Sequence, residues 1–249
     1  MRSKVALTLS AALLCAAIAG NGWAQAEPQP PVDEEAVRKI VREYLLEHPE
    51  VIEEAIRALS ARRQADQAAR TRDALVKNRV ALIGHPMSPV SGNPEGDVTL
   101  VEFFDYQCGY CKRSLESVMD LLEGDPGLRI VWKDFPVLGQ VSTFAALASM
   151  AAQKQGKYLE LHKALMGAPE RLTEKSVMQI AGQVGLDVER LQQDMADREI
   201  VAYLQETQRL ARELGINGTP AFVIGNTLVP GAVDGARLKQ LIDEARGGG

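Results

Sequence analysis

Val98-Thr99-Leu100-Val101-Glu102-Phe103-Phe104-Asp105-Tyr106-Gln107-Cys108-Gly109-Tyr110-Cys111-Lys112 is the stretch from which the rest of the chain is best read. Residues 98–104 are mostly β-branched or aromatic with no turn residue among them, the composition of a buried strand. Residues 105–107 turn the chain into Cys108. From Cys111 to Leu122 the pattern is amphipathic and helical, ending at Gly124. Two cysteines separated by two residues therefore sit where a strand hands over to a helix. The unpaired N–H groups and positive dipole end of a helix N-terminus favour Cys108 as a thiolate. Cys111, one turn on, is within bonding range and on the more buried side. Attack by Cys108 and resolution by Cys111 is the chemistry of such a pair. Half of a zinc site is the competing use of this spacing, but no second Cys or His pair accompanies it, and no metal is expected.

Working outward, Leu128 to Asp134 reads as a second strand, closed by Pro136. Ser88 to Asp97, rich in Pro, Gly and Ser, reads as a loop. Ser142 to Leu214 is helical, broken at Gly156, at Gly167-Ala168-Pro169, at Gly185 and near Asp197. Ala221–Ile224 and Thr227–Val229 form a hairpin about Gly225-Asn226, and a last helix runs from about Asp234 to Arg246. This order predicts an α/β layered domain with a helical block, about residues 139–214, inserted in its middle.

Upstream, Asp33 can cap a helix in which Val37, Ile40, Val41, Tyr44 and Leu45 share one face. His48-Pro49 interrupts it, and Val51, Ile52, Ala55, Ile56 and Leu59 continue in a second helix. The span 33–57 carries eight acids and four cations, and 61–79 carries six cations and two acids. That contrast suits association between chains, and it equally suits solvated faces of helices lying on their own domain. The heptad fit fails at His48, which disfavours a long coiled coil. The apolar face still needs a partner, because short isolated helices are marginal in water.

The N-terminus reads as an address. Arg2 and Lys4 precede an apolar run from Val5 to Ala19, and Ala24-Gln25-Ala26 supplies small residues for cleavage after Ala26. Residues 1–26 are thus expected to be a secretory signal peptide, followed by a Pro-rich tether to Pro31. Removal takes Cys15 away and leaves only Cys108 and Cys111. A disulfide across two residues closes almost no chain, so the pair is there for reactivity rather than stability. The 249 residues carry a net charge of −5, which argues against a general nucleic-acid binder. No P-loop, dinucleotide fingerprint or G-x-S-x-G occurs, and no cofactor is expected. His48, His85 and His162 are scattered and read as cap, loop or packing residues.

The quoted stretch, with Gly92-Asn93-Pro94 ahead of it and Asn217-Gly218-Thr219-Pro220 after the helical block, resembles the DsbA family of thioredoxin-fold thiol–disulfide oxidoreductases over roughly residues 90–246. The helical extension ahead of it resembles ScsC-type members, some of which are oligomeric disulfide isomerases or reductases. The resemblance implies a thioredoxin-like fold with an inserted helical subdomain, preceded by an N-terminal helical extension. The implied division is a helical oligomerisation extension over 27–77 and a catalytic domain over 78–249. It implies that Pro220 is a cis-proline beside the cysteines, leaving backbone groups free for an extended substrate, with Thr219 contacting both substrate and the attacking sulfur. Glu102 matches a buried acid beneath the site, and Lys133 on the next strand is expected to pair with it as a proton route for Cys111. Gly109 and Tyr110 replace the Pro-His of the strongest oxidants. Gly-Tyr, with Thr before the proline, is similar to the pairing in periplasmic isomerases.

The expected function is thus a periplasmic disulfide isomerase or reductase acting on misfolded exported proteins. A DsbD- or ScsB-like membrane reductant and a homo-oligomer, with a trimer suggested by the ScsC resemblance, go with it. A DsbA-like dithiol oxidase, recharged by a DsbB-like oxidant, stays open. So does a non-enzymatic, chaperone-like or surface binding protein.

Overall fold

A computed structural model describes residues 33–247; the expected signal segment lies outside the described residues. The chain divides into two units, one up to Ala58 and the other from Leu59 onward.

In the first unit, α1 (Glu34–Glu47) begins as its sequence dictates. The Asp33 carboxylate accepts the backbone N–H groups of Glu35 and Ala36 at 3.0 and 3.3 Å, and Glu34 and Glu35 complement the dipole. The helix ends at His48, whose N–H donates to the Tyr44 carbonyl. No residue of α1 is buried, and Val37, Ile40, Val41 and Tyr44 are 44–64% exposed. Pro49 precedes α2 (Glu50–Lys77), which runs on unbroken through the alanine-rich stretch.

The second unit is built on a five-stranded sheet. Leu75, near the end of α2, is buried, and α3 (Arg79–Ile83) follows. Then come β1 (Val90–Gly92), β2 (Val98–Phe104), α4 (Gly109–Gly124) and β3 (Leu128–Asp134). Five helices fill the insertion: α5 (Gln140–Gln153), α6 (Tyr158–Gly167), α7 (Glu174–Gln183), α8 (Val188–Asp194) and α9 (Arg198–Glu213). The chain returns through β4 (Ala221–Ile224), β5 (Thr227–Pro230) and α10 (Gly235–Gly247). Strand order is β1-β3-β2-β4-β5, with β2 and β3 parallel and the other pairs antiparallel. This is the thioredoxin-like arrangement the motif implied.

Alternation along β2 and β3 divides the core in two. Leu100, Phe104, Ile130 and Trp132 face α4, α10 and the inserted helices. Val101, Phe103 and Val131 face Leu75, Leu82, Leu210 and Leu214 on the other side. The extension was expected to end at residue 77, yet Leu75 is part of this second core.

One element corrects the sequence reading. Residues 88–97 are not all loop, because Val90, Ser91 and Gly92 pair antiparallel with Val131, Ile130 and Arg129. Three residues are too few to show a period, and their strand character comes from the edge they join. The Trp132 indole N–H donates to Ser91 Oγ at 2.8 Å and pins that edge.

Candidate active site

The end of β2 delivers the redox motif through a turn organised by Asp105. Its Oδ1 accepts the Gln107 N–H at 2.7 Å and the Ser142 hydroxyl at 2.7 Å, and its Oδ2 accepts the N–H groups of Val137 and Leu138. The Cys108 N–H donates to the Asp105 carbonyl. One carboxylate thus ties the motif to the start of the helical insertion. Helix α4 begins two residues earlier than its amphipathic pattern, so Cys108 is the N-cap residue, in extended conformation.

The two sulfurs are free thiols in very different surroundings. Cys108 is 6% exposed, and its thiol is pulled down to about 5. The hydrogen bond from the Cys111 thiol is the main cause. The Thr219 side chain and the backbone N–H groups of Cys111 and Tyr110 add to it, against the opposing effect of burial. Cys111 is 1% exposed and pushed far above the ordinary thiol range by its bond to Cys108, by burial and by the nearby Glu102 charge. Of the two, Cys108 has the thiol that ionises more readily, and Cys111 holds its proton more tightly.

Thr219-Pro220 is a cis peptide, as the resemblance implied, and the Cys108 thiol lies 3.2 Å from the Thr219 carbonyl, to which it donates when protonated. Residues 111 positions apart in sequence are brought together here by the return of the chain through β4.

Glu102 sits in mid-β2 between Trp132 and Phe222, fully buried, with its carboxyl pushed up to about 8 by burial and by the Cys108 charge. It lies on the cysteine side of the sheet.

Lys133 does not, and the expected Glu102–Lys133 pair is not formed. Lys133 is in register with Phe103, one residue from Glu102, so its side chain leaves the opposite face. There Nζ donates to the Ala81 carbonyl at 2.7 Å, to Ser88 Oγ at 2.7 Å and to the Tyr203 hydroxyl at 3.5 Å. Burial lowers its pKa to about 7. Lys133 staples the 81–88 segment and α9 to the sheet, and it offers Cys111 no proton route.

Gly109 and Tyr110 are exposed at the mouth, and the Arg113 guanidinium stacks over the Tyr110 ring at 4.3 Å. Two further side chains were not legible as site residues. Gln107 exchanges hydrogen bonds with the backbone of Leu172, and Lys112 donates to the carbonyls of Ala168 and Glu170. Flanking the motif, they latch the α6–α7 loop onto it. The histidines behave as packing and cap residues. His162 is buried among Phe104, Tyr106, Trp132 and Tyr158, with burial driving its pKa down to about 3, and His85 packs on Tyr203. Among the described residues no cluster of His, Cys, Asp and Glu is placed to hold a metal ion. No helix among them is long and apolar enough to cross a membrane.

Residues 99–243 match the model of the DSBA-like thioredoxin domain. The chain belongs to the DSBA-like thioredoxin family. Residues 33–66 match the N-terminal domain described as that of the copper resistance protein ScsC. Among solved structures, a thioredoxin-like oxidoreductase from Silicibacter pomeroyi DSS-3 is 49% identical, over 68% of this chain and 98% of that one, with a TM-score of 0.67. A linker-deletion variant of Proteus mirabilis ScsC is 30% identical over 88% of this chain and 98% of its own, with a TM-score of 0.68. Salmonella enterica Typhimurium BcfH is 29% identical over 86% and 96%, with a TM-score of 0.73. Among curated proteins, a Na(+)/H(+) antiporter NhaA 3 from Salinispora tropica is 30% identical over 137 residues. Only 21% of that protein's length is covered, so the chain corresponds to a small part of it. Membership makes this a thiol–disulfide oxidoreductase-type domain of the DsbA and ScsC kind.

Proposed function

We propose that the protein is a periplasmic thiol–disulfide oxidoreductase that reduces and reshuffles disulfides of misfolded exported proteins. The observation carrying this reading is the asymmetry of the two sulfurs: a thiol near 5 at the mouth and a buried thiol held protonated behind it. The Cys108 thiolate attacks a client disulfide, forming a mixed disulfide and releasing one client thiolate. Loss of the Cys108 charge eases ionisation of both Glu102 and Cys111, and the Glu102 carboxylate, once formed, accepts the Cys111 proton. Either Cys111 attacks Cys108 and frees the reduced client, or the client's own thiolate does so and leaves with a rearranged disulfide. Thr219 and Pro220 would present backbone to the bound client, with Gly109 and Tyr110 forming the rim.

The export pattern of residues 1–26 supports the periplasm. So does the likeness to a periplasmic thioredoxin-like protein from Salmonella enterica serovar Typhimurium, 29% identical. Gly109-Tyr110 and Thr219 favour isomerase or reductase work, which requires a membrane reductant of the DsbD or ScsB kind. The unburied apolar stripe of α1 supports self-association, as a trimer in this reading, which would hold several Cys108 sites around one client. A dithiol oxidase, recharged by a DsbB-like protein, is favoured by one observation: a thiol near 5 makes a good leaving group and hence a fairly oxidising disulfide.

Rapid alkylation of thiols in intact periplasm tests the choice. Cys108 and Cys111 found reduced support isomerase or reductase function, and found oxidised they assign the oxidase. Client protection that survives Cys108→Ser with Cys111→Ser would refute both in favour of a non-enzymatic binding protein.

A further inference from the structure

Tyr110 is 60% exposed although it lies inside the redox motif, and one turn on, Arg113 lays its guanidinium over the ring. The same guanidinium lies beside Gly109, 3.6 Å from where a side chain there would begin, an ordinary packing distance in the first turn of α4. A guanidinium held over a ring still has N–H groups free to meet a carboxylate. Among the described residues Arg113 has no acid within ion-pair distance.

Flanking the motif, Gln107, Lys112, Leu138, Pro169, Glu170 and Arg171 line an open cavity of about 410 Å³. Its charged groups are Lys112, already engaged by two backbone carbonyls, the exposed Arg171 and the exposed Glu170. The lining therefore carries two cations against one acid, and Arg113, which follows Lys112 on α4, adds a third cation in a chain whose overall charge is −5.

We propose that Arg113, held by Tyr110, is a specificity-determining residue that selects client segments with Asp or Glu beside the disulfide cysteine. This rests on the reading of Cys108 as the nucleophile toward client disulfides. The carboxylate meets the guanidinium N–H groups while the cysteine faces Cys108, and the exposed Arg171 adds attraction. An exposed ion pair of this kind corresponds to about a two- to fivefold preference in rate.

The test uses the full-length mature protein and three disulfide peptides that differ only in Glu, Gln or Lys next to the cysteine. Each reduction rate is divided by that of dithiothreitol on the same peptide, which removes differences in peptide reactivity. The wild type should favour the Glu peptide over the Lys peptide about fivefold at low salt, and the preference should shrink near 0.5 M salt through screening. Arg113→Gln should lower the Glu-to-Lys ratio, and Arg113→Glu should invert it, each read relative to the same variant's Gln-peptide rate. Tyr110→Leu should also lower it, by releasing the guanidinium. Equal normalised rates for all three peptides in the wild type, or a ratio untouched by Arg113→Glu, would overturn the proposal and leave the redox function standing. No turnover of any peptide would overturn the function itself, and the proposal with it.

Discussion

Glu102→Gln should make the protein more stable and a worse catalyst, and the gain should depend on pH in a defined way. A carboxyl held at about 8 in the folded state, against 4.5 as its ordinary value, means that the folded protein binds more protons than the unfolded chain between those limits. Unfolding free energy contributed by this group therefore falls as pH rises through that window. At about 1.4 kcal/mol per pH unit of difference, the cost is roughly 1 kcal/mol at pH 5, about 3 kcal/mol at pH 7 and approaches about 5 kcal/mol above pH 8. Glutamine cannot ionise and escapes all of it. Urea unfolding of reduced wild type and variant from pH 4.5 to 8.5 should give curves that coincide at the acid end and diverge steadily above it. The Cys108 titration stabilises the native state in the opposite sense between about 5 and 9, but both proteins share it, so it largely cancels in the difference. Because part of the Glu102 shift comes from the Cys108 charge, the divergence should be smaller in a Cys108→Ser background. Resolution of a mixed disulfide should slow in the variant, since Cys111 loses its neighbouring acceptor. Parallel stability curves would refute the reasoning, showing that Glu102 ionises freely through solvent.

Cys111→Ala should accumulate mixed disulfides with clients and Cys108→Ala should accumulate none, read on non-reducing gels; equal trapping would reverse the assigned roles. Gly109→Pro with Tyr110→His should make the disulfide more oxidising, with about 30 mV for each tenfold change in the exchange equilibrium against glutathione. An unchanged potential would mean that the dipeptide does not set the poise. Deleting residues 27–58 should convert an oligomer into a folded monomer by light scattering, with small-disulfide reduction retained and isomerisation of scrambled substrate sharply reduced. Leu75→Ala, by contrast, should cost about 2–5 kcal/mol in chemical denaturation, since Leu75 packs in the sheet's second core.

The strands β2 and β3, the helix after the cysteines and the breaks between the inserted helices were all legible, because each depends on local pattern: β-branched runs, helical spacing, glycine and proline. The redox pair was legible for the same reason, since its chemistry lies within four consecutive residues. Even Thr219 and Pro220, far along the chain, could be carried over from the motif they resemble. Edge strand β1 escaped because three residues hold no period, and only the exposed edge of β3 makes them a strand.

Sequence by itself determined the fold class and pointed to the two neighbouring thiols as the candidate site, since local preferences and the spacing of Cys108 and Cys111 need no distant partner. Tertiary structure alone decided which groups lie near those thiols. Glu102 and Lys133 illustrate the division: both are buried ionisable residues on adjacent strands, and from sequence each could face the cysteines. Side chains on neighbouring strand positions leave opposite faces, so the one-residue offset in register directs Glu102 toward Cys108 and sends Lys133 to Ala81 and Ser88 on the other side.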